Sequence, residues 1–398
     1  MHRSVQLVAV LVLAGSGTPA LSRGLDVRPQ ISLEARAFAA DAQFPDQLDT
    51  AQFGVILSGD ASWRSDDRRT RFDVEPYLRI DSEDSRRGYV DIRELSVAHD
   101  FGEWDLVFGI SQVFWGVAES RNVVDVVNQF DTLEGIDEDE KLGQPMLRAS
   151  RKFGRGNIEL LYLPYFRERE FPGSDGRLRF TPVVDDDSIV YERGGDEWAG
   201  DWAARYSQRA GALDLGVHVF HGTSRNPFLA LAANGDALVQ NYQTLQQYGV
   251  DTQYTNDAWL LKGEYVRANI SGERFSSVVA GFEYTVFGIA GTPYDLGLIA
   301  EYLRDTRDLD RAPITVFDND VFAGTRLTLN DSQDTELLAG AIVEADNGAI
   351  QWSIEFRRRL GTRSLIEIEA RGFSGSGDPF VEAFESDDYL LVRWTHYF

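Results

Sequence analysis

Alternation of apolar and polar residues, repeated from segment to segment, is the feature of this 398-residue chain that most restricts its fold. From Val55 to Arg64 the sequence reads VILSGDASWR, with Val55, Leu57, Gly59, Ala61 and Trp63 on one face and Ile56, Ser58, Asp60, Ser62 and Arg64 on the other. LDLGVHVFHG opposes Leu213, Leu215, Val217 and Val219 to Asp214, Gly216, His218 and Phe220, and IQWSIEFRRR opposes Ile350, Trp352, Ile354 and Phe356 to Gln351, Ser353, Glu355 and Arg357. Period two predicts β-strands with one greasy face. After the first residues no stretch approaches the roughly 18 apolar residues of a membrane-spanning helix, so any membrane role requires a closed β-barrel. A soluble sandwich alternates too, and alternation alone does not say which face looks outward.

Connection lengths supply that information. Segments of roughly 9 to 14 residues read as about 18 strands, with 16 as the smaller alternative, and tight turns take turns with longer connections. Phe101–Glu103, Gly154–Gly156, Ala210–Ala212, Asn256–Asp257, Asp331–Gln333 and Gly361–Arg363 form the tight set. Ala40–Asp49, Val117–Gly143, Arg167–Glu197, Thr223–Gln243, Asp305–Asn319 and Ser374–Asp387 form the long set. Sorting of this kind puts all tight turns on one rim and all long loops on the other, as an outer-membrane barrel requires and a sandwich does not. The expected fold is all-β: a transmembrane antiparallel up-and-down β-barrel spanning 23–398.

Both ends of the sequence fit that setting. A short basic start, the apolar run Val5 to Leu13 and the small residues Thr18-Pro19-Ala20 predict a signal peptide over 1–22, cut after Ala20 or Ser22. Only about ten residues would then precede a first strand near Ile31 to Ala39, too few for an N-terminal plug inside the barrel. The last residues, DDYLLVRWTHYF, alternate toward a terminal aromatic ring. In a barrel this strand pairs with the first and turns its apolar face to lipid, where Leu390, Val392, Trp394 and Phe398 form the expected assembly signal. This pattern resembles the C-terminal signal of Gram-negative outer-membrane proteins, with His396 where a large residue such as Tyr is usual. The chain has no cysteine, so neither disulfides nor thiolate metal sites contribute.

Four stretches carry a more specific resemblance: YVDIRELSV (Tyr89 to Val97), GISQVFWGVAESRNVVDVVNQFDT (Gly109 to Thr132), KLGQPM (Lys141 to Met146) and WAARYSQRAGALDLGVHVFHGTSRNPF (Trp202 to Phe228). The chain resembles, over most of its length, a poorly characterised porin-like family of proteobacterial outer-membrane proteins. The resemblance implies a barrel and transport; the family offers no agreed substrate or functional residues to carry over. The partners expected of such a barrel are outer-membrane lipid and lipopolysaccharide, the barrel-assembly machinery and small solutes, with a homo-oligomer possible and nucleic acid not.

Charge bears on the pore. A net charge of −25, from 64 acidic and 39 basic residues, argues against nucleic acid as a partner. TLEGIDEDEK concentrates Glu134, Asp137, Glu138, Asp139 and Glu140, and VVDDDS holds Asp185, Asp186 and Asp187. Neither has the spacing of an EF-hand, and both suit a solvated rim. Position suggests more for the first, because 117–143 joins the fifth and sixth expected strands and is the third connection on the long-loop rim, the one that in porins commonly folds into the lumen. Strand faces supply Arg93, Arg148, Lys152, Arg205, Lys262, Arg326, Arg357, Arg371 and Arg393, with Glu264, Glu301, Glu355, Glu367 and Glu369 among them. Lys or Arg on the lipid face near the midplane costs on the order of 2 to 4 kcal/mol, so these charges are expected to face water inside. Acidic loop against basic wall, notably Arg148, Arg205 and Arg326, is the expected constriction.

Catalysis finds no support in motifs. The five histidines include no HExxH, and no GxSxG elbow or phosphate loop is present; His218 and Asp214 share a strand face about 13 Å apart along the chain, too far for a catalytic pair. No cofactor or metal motif appears. The function expected is passive diffusion of small hydrophilic solutes or ions. VVDVVNQF (Val123 to Phe130) keeps open a channel for hydrophobic or aromatic compounds with a greasy gate, and a structural or adhesive barrel is the third reading.

Overall fold

The computed structural model describes residues 24–48 and 50–398; the expected signal peptide lies outside the described residues. Alternating residues form strands β1 (Leu25–Phe38), β2 (Ala51–Arg64), β3 (Thr70–Asp81), β4 (Val90–Asp100), β5 (Asp105–Ser111), β6 (Gln144–Phe153) and β7 (Gly156–Leu163). After β8 (Val184–Tyr191) come β9 (Asp201–Ala210) and β10 (Leu213–Thr223), then β11 (Phe228–Leu231) and β12 (Leu238–Tyr242). The remainder is β13 (Thr244–Asn256), β14 (Trp259–Ile270), β15 (Glu273–Val286), β16 (Asp295–Asp305), β17 (Asn319–Thr328), β18 (Glu336–Glu344), β19 (Ile350–Leu360), β20 (Ser364–Ser374) and β21 (Tyr389–Tyr397). Without β8, β11 and β12 these make one 18-stranded antiparallel sheet in chain order. It closes on itself, with Gln30 of β1 opposite Tyr397 of β21 and Phe38 opposite Tyr389, so neither end strand is a free edge. The first strand starts at Leu25, earlier than the alternation near Ile31 suggested, and pairs with β2 from there.

Connections sort as expected. One rim carries 65–69, 101–104, 154–155, 211–212, 257–258, 287–294, 329–335 and 361–363. Three of these are two-residue hairpin turns that need positive φ, supplied by Gly154 (+61°), Gly211 (+68°) and Asp257 (+48°). The opposite rim carries 39–50, 82–89, 112–143, 164–200, 224–243, 306–318 and 375–388, and also two short links, 271–272 and 345–349. The long connections are not irregular throughout. β8 pairs in parallel with β12, and β12 with β11, so a separate three-stranded sheet ties 164–200 to 224–243. The acidic run Asp185 to Asp187, expected in a loop, therefore lies on a strand, where Asp186 pairs with Arg86 at 2.9 Å. A short helix, α1 (Pro379–Phe384), capped by the Asp378 side chain on the Val381 N–H, fills the last connection and packs Phe380 and Phe384 on Phe373.

Exposed apolar side chains follow the predicted outward face: Leu57, Leu215, Val250, Leu298, Val321 and Ile354 are all on the outside. Aromatic rings gather near both rims, with Phe53, Tyr162, Trp202 and Tyr248 toward the long loops and Phe101, Phe153, Trp259, Phe287 and Phe398 toward the tight turns. Two such girdles flanking an apolar belt are the surface of a barrel matched to a bilayer. Leu390, Val392, Trp394 and Phe398 share this outer face, and Trp394, His396 and Phe398 form a ladder of rings 5.7 and 5.0 Å apart.

Candidate functional site

The 112–143 connection leaves the rim and reaches wall strands around the whole ring. Its first half is apolar and packs on the inner wall: Val113, Trp115, Val124, Val126 and Val127 meet Met146, Leu161, Phe220, Leu245, Val266 and Phe275 in one cluster. Gly116 (φ +122°) turns the chain there; a Cβ on it would lie 2.2 Å from Asn122 Oδ1. Val124 and Val127 are 0% exposed, so the VVDVVNQF segment is a core element and lines no greasy gate with those side chains.

Two wall carboxylates then hold the backbone of this half. Glu264 Oε1 accepts from the Val117 N–H (2.6 Å) and the Ala118 N–H (3.0 Å), and its Oε2 accepts from the Val124 N–H (3.3 Å). Glu301 accepts from the Glu119 N–H and the Ser120 N–H, both 2.8 Å, and from the Ser120 hydroxyl (2.5 Å). Charge-assisted bonds from consecutive N–H groups fix the loop's path without asking for any particular loop side chain. Glu119 points back to the wall, at 3.2 Å from Lys262 and 2.7 Å from Arg326.

The second half reverses the polarity. Here the loop supplies carboxylates and the wall supplies arginines. Asp131 pairs with Arg93 and accepts from the Tyr89 hydroxyl (2.6 Å). Glu134 accepts from Arg79 (2.7 Å), Arg393 (2.5 Å) and the Tyr77 hydroxyl (2.6 Å); Asp137 is 2.8 Å from Arg371. Arg79 and Arg393 also share Glu34, and Arg87 joins that carboxylate at 3.1 Å, so the loop tip completes a buried ionic network centred on an Arg79 side chain of 0% exposure.

Beside the tip lies a cavity of about 340 Å³. Glu119, Glu134, Asp137, Asp139 and Glu140 from the loop and Glu336, Glu355, Glu367 and Glu369 from the wall line it, against Arg36, Arg326, Arg357 and Arg393. A second cavity of about 270 Å³, with Ser32, Ser58, Gln112 and Thr395 in its lining, shares Glu134, Glu140, Glu367 and Arg393 with the first. The lining is polar and acid-rich, not simply basic opposite acidic. Titration follows. Burial raises the Glu134 carboxyl, yet Arg79 and Arg393 outweigh burial and hold it at about 2. Asp139 and Glu140 keep access to water but are surrounded by the wall. Burial, with Asp137 as a like charge, pushes Asp139 up to about 6, and burial with Glu134 beside it pushes Glu140 up to about 7.

Other expected residues fall elsewhere. Arg205 does not face the acidic tip: it grips Asp251 at 2.6 and 2.7 Å and lies over the Trp115 ring. Gly216 sits between these partners, and a Cβ there would approach Arg205 to 2.2 Å. Glu138 reaches Arg169 at 3.4 Å, a residue of the next long connection and not of the wall. Arg148 is half-buried on β6, and among the described residues it has no ion-pair partner. Arg357 is exposed to the first cavity. His218 packs on Trp115 (5.0 Å between rings), while Asp214 lies 3.7 Å from Arg209. Glu34, Arg36 and Arg79 were missed. Ser32-Glu34-Arg36 was readable as the polar face of β1, whereas a bulge at Glu75/Pro76 disturbs the alternation leading to Arg79.

No protein-family model matches the sequence, and no curated protein matches it. Solved structures do. The chain is similar to a BenF-like porin from Pseudomonas fluorescens (TM-score 0.55, 8% identity, covering 94% of this chain and 98% of that one). It is similar to OpdQ of Pseudomonas aeruginosa (TM-score 0.54, 10% identity, 94% and 98% covered). It is also similar to Wzi of Escherichia coli, a carbohydrate-binding outer-membrane barrel involved in group 1 capsule assembly (TM-score 0.53, 8% identity, 92% and 84% covered). At these identities the likeness establishes the 18-stranded barrel fold alone.

Proposed function

We propose that this protein is an outer-membrane, porin-like channel for passive diffusion of small hydrophilic solutes or ions, with the 112–143 loop as its constriction and a preference for cations. The acid-rich cavity beside the loop tip carries the reading: a bore of this strand number is wide, and what narrows it is a loop whose free face presents carboxylates to water. The long-loop rim is taken as extracellular and the tight-turn rim as periplasmic, in keeping with barrels of the outer membrane. Glu134, Asp137, Asp139, Glu140, Arg326, Arg357 and Arg393 are the pore-lining residues of this proposal, with Arg371 holding Asp137 behind them; Glu138, Arg93, Arg205 and Lys262 serve the loop or the wall instead, and Arg148 lies outside the cavity lining.

The fold alone does not choose between transport and carbohydrate binding, since it is similar to a porin and to a carbohydrate-binding barrel. A channel for hydrophobic compounds is the second reading: Val124 and Val127 pack against the wall, but Val123, Val126 and Phe130 of the same segment line a cavity of about 170 Å³ together with Phe171, Phe275 and Phe317. Planar-bilayer recording on the refolded barrel tests the proposal: unitary conductance with a reversal potential of cation-preferring sign supports it, and a barrel that inserts without conducting refutes it.

A further inference from the structure

A second acidic constellation lies outside these cavities, where β17 and β18 meet the long-loop rim. Asp318 ends the 306–318 connection, Glu344 ends β18, and Asp346 lies in the link that follows. Each offers a carboxylate oxygen, and the three oxygens lie within 4.8 Å of one another. Glu344 is only 8% exposed, and its Oε2 has no hydrogen-bond partner. A buried carboxylate oxygen left without a donor is costly unless something positive comes to it. Little does: the Asn347 side chain bonds the Glu344 carboxylate but carries no charge, Arg304 reaches Asp318 at 3.4 Å but both are exposed, and the Asn319 amide donates to Asp346 at 3.0 Å. Asp320, paired in register with Glu344, adds another negative charge, and its own Oδ2 is occupied by the Asp318 N–H at 2.7 Å.

We propose that Asp318, Glu344 and Asp346 form a calcium site that pins the 306–318 connection to the β18–β19 link at the rim. Three hard oxygen donors within 4.8 Å of one another, two of them on exposed residues that leave room for water, suit a cation that accepts six to eight oxygens in flexible geometry better than magnesium, which demands a tight octahedron. The connection so pinned carries Phe317, buried among Val279, Ile299, Leu303, Phe322 and Ile342. Calcium would thus fix the rim from outside while apolar packing fixes it from inside. This inference stands independently of channel activity.

Limited trypsinolysis of the folded barrel tests it. Arg311 lies in the pinned connection with a side chain 62% exposed, and Arg209, 77% exposed beside a tight turn, is the internal control. With a dissociation constant on the order of 10⁻⁴ M, about 1 mM calcium should slow cleavage at Arg311 about tenfold relative to EDTA, if cleavage follows local opening. Cleavage at Arg209 should not change. Glu344→Gln and, should that variant fold poorly, the milder Asp346→Asn should remove the calcium effect while leaving the rate in EDTA close to that of the parent. Equal protection by calcium in the variants, or no protection in the parent protein, overturns the site.

Discussion

The two halves of the inward loop are held by opposite means. At β14 and β16 the wall contributes carboxylates, Glu264 and Glu301, and the loop contributes backbone N–H groups. At β3, β20 and β21 the wall contributes Arg79, Arg371 and Arg393, and the loop contributes Glu134 and Asp137. The carboxylates of the first anchor are buried beside an apolar cluster; the second anchor borders the acid-rich cavity. The difference separates two tasks: the first half fixes where the loop runs, and, on the proposed channel reading, the second half supplies most of the loop charge that faces the cavity, with Glu119 the contribution of the first.

The largest effect should come from the second anchor. Replacing Glu134 with Gln and Asp137 with Asn together strips Arg79, Arg393 and Arg371 of their loop partners; Glu34 still pairs with Arg79 and Arg393 and Glu369 with Arg371, so the cost stays below the roughly 3 to 5 kcal/mol of a fully uncompensated buried charge. The loop tip should detach, unitary conductance should rise at least severalfold in variance and mean, and the reversal potential should shift toward anions. Bilayer recordings that leave both unchanged would dissolve the distinction between the halves.

Glu264→Ala should act next in size and differently in kind. It orphans three loop N–H groups, each worth roughly 1 to 3 kcal/mol when buried. The temperature at which the barrel loses its folded mobility on a gel should drop, and spontaneous closures should become frequent. Its reversal potential should stay near that of the parent, because Glu264 is buried and lines neither acid-rich cavity. A shift in selectivity as large as that of the tip variant would show that the two anchors share one role.

Acidification offers a smaller, reversible version of the first experiment. Glu140 and Asp139, at about 7 and about 6, take up protons between pH 8 and 5, while Glu134, held at about 2, stays ionised. Negative charge is lost from the cavity but the tip keeps its arginines. Cation preference should therefore fall as pH falls through this window, with conductance nearly constant. Glu140→Gln should flatten the upper part of the titration, near pH 7, and an unaltered profile would place the titrating group elsewhere.

What could be read in the sequence divides along a similar line. Face and rim are local properties: a period of two places Arg371 and Arg393 inside and Leu390 outside whatever the neighbouring strands do. Partners are not local. Arg205 faces inward as expected, yet its partner Asp251 stands beyond β10 and is reached only because Gly216 leaves the space open. β8 was hidden for the same reason, since its pairing partner β12 belongs to the next long connection and the Asp185 to Asp187 run reads as a solvated loop. The Glu264 clamp was hardest to anticipate. A carboxylate that binds backbone amides leaves no mark on the sequence of the segment it binds.

Arg357→Ala should have the smallest effect. Arg357 and Arg393 are both wall arginines that line the first cavity, but Arg393 bonds Glu34 and Glu134, whereas Arg357 is exposed to water and, among the described residues, has no ion pair with a carboxylate. Removing it leaves no buried charge alone, so stability should change by no more than about 0.5 kcal/mol, as for surface positions. The loop tip, anchored elsewhere, should keep its place, and unitary conductance should change little. One positive charge does leave an already acid-rich lining, so cation preference should rise slightly, and more at low salt, where screening reaches less deeply into the bore. Arg393→Ala should instead reproduce much of the tip phenotype. Equal losses of stability in the two arginine variants would mean that the tip network does not set the anchor, and that any charge on this stretch of wall would serve.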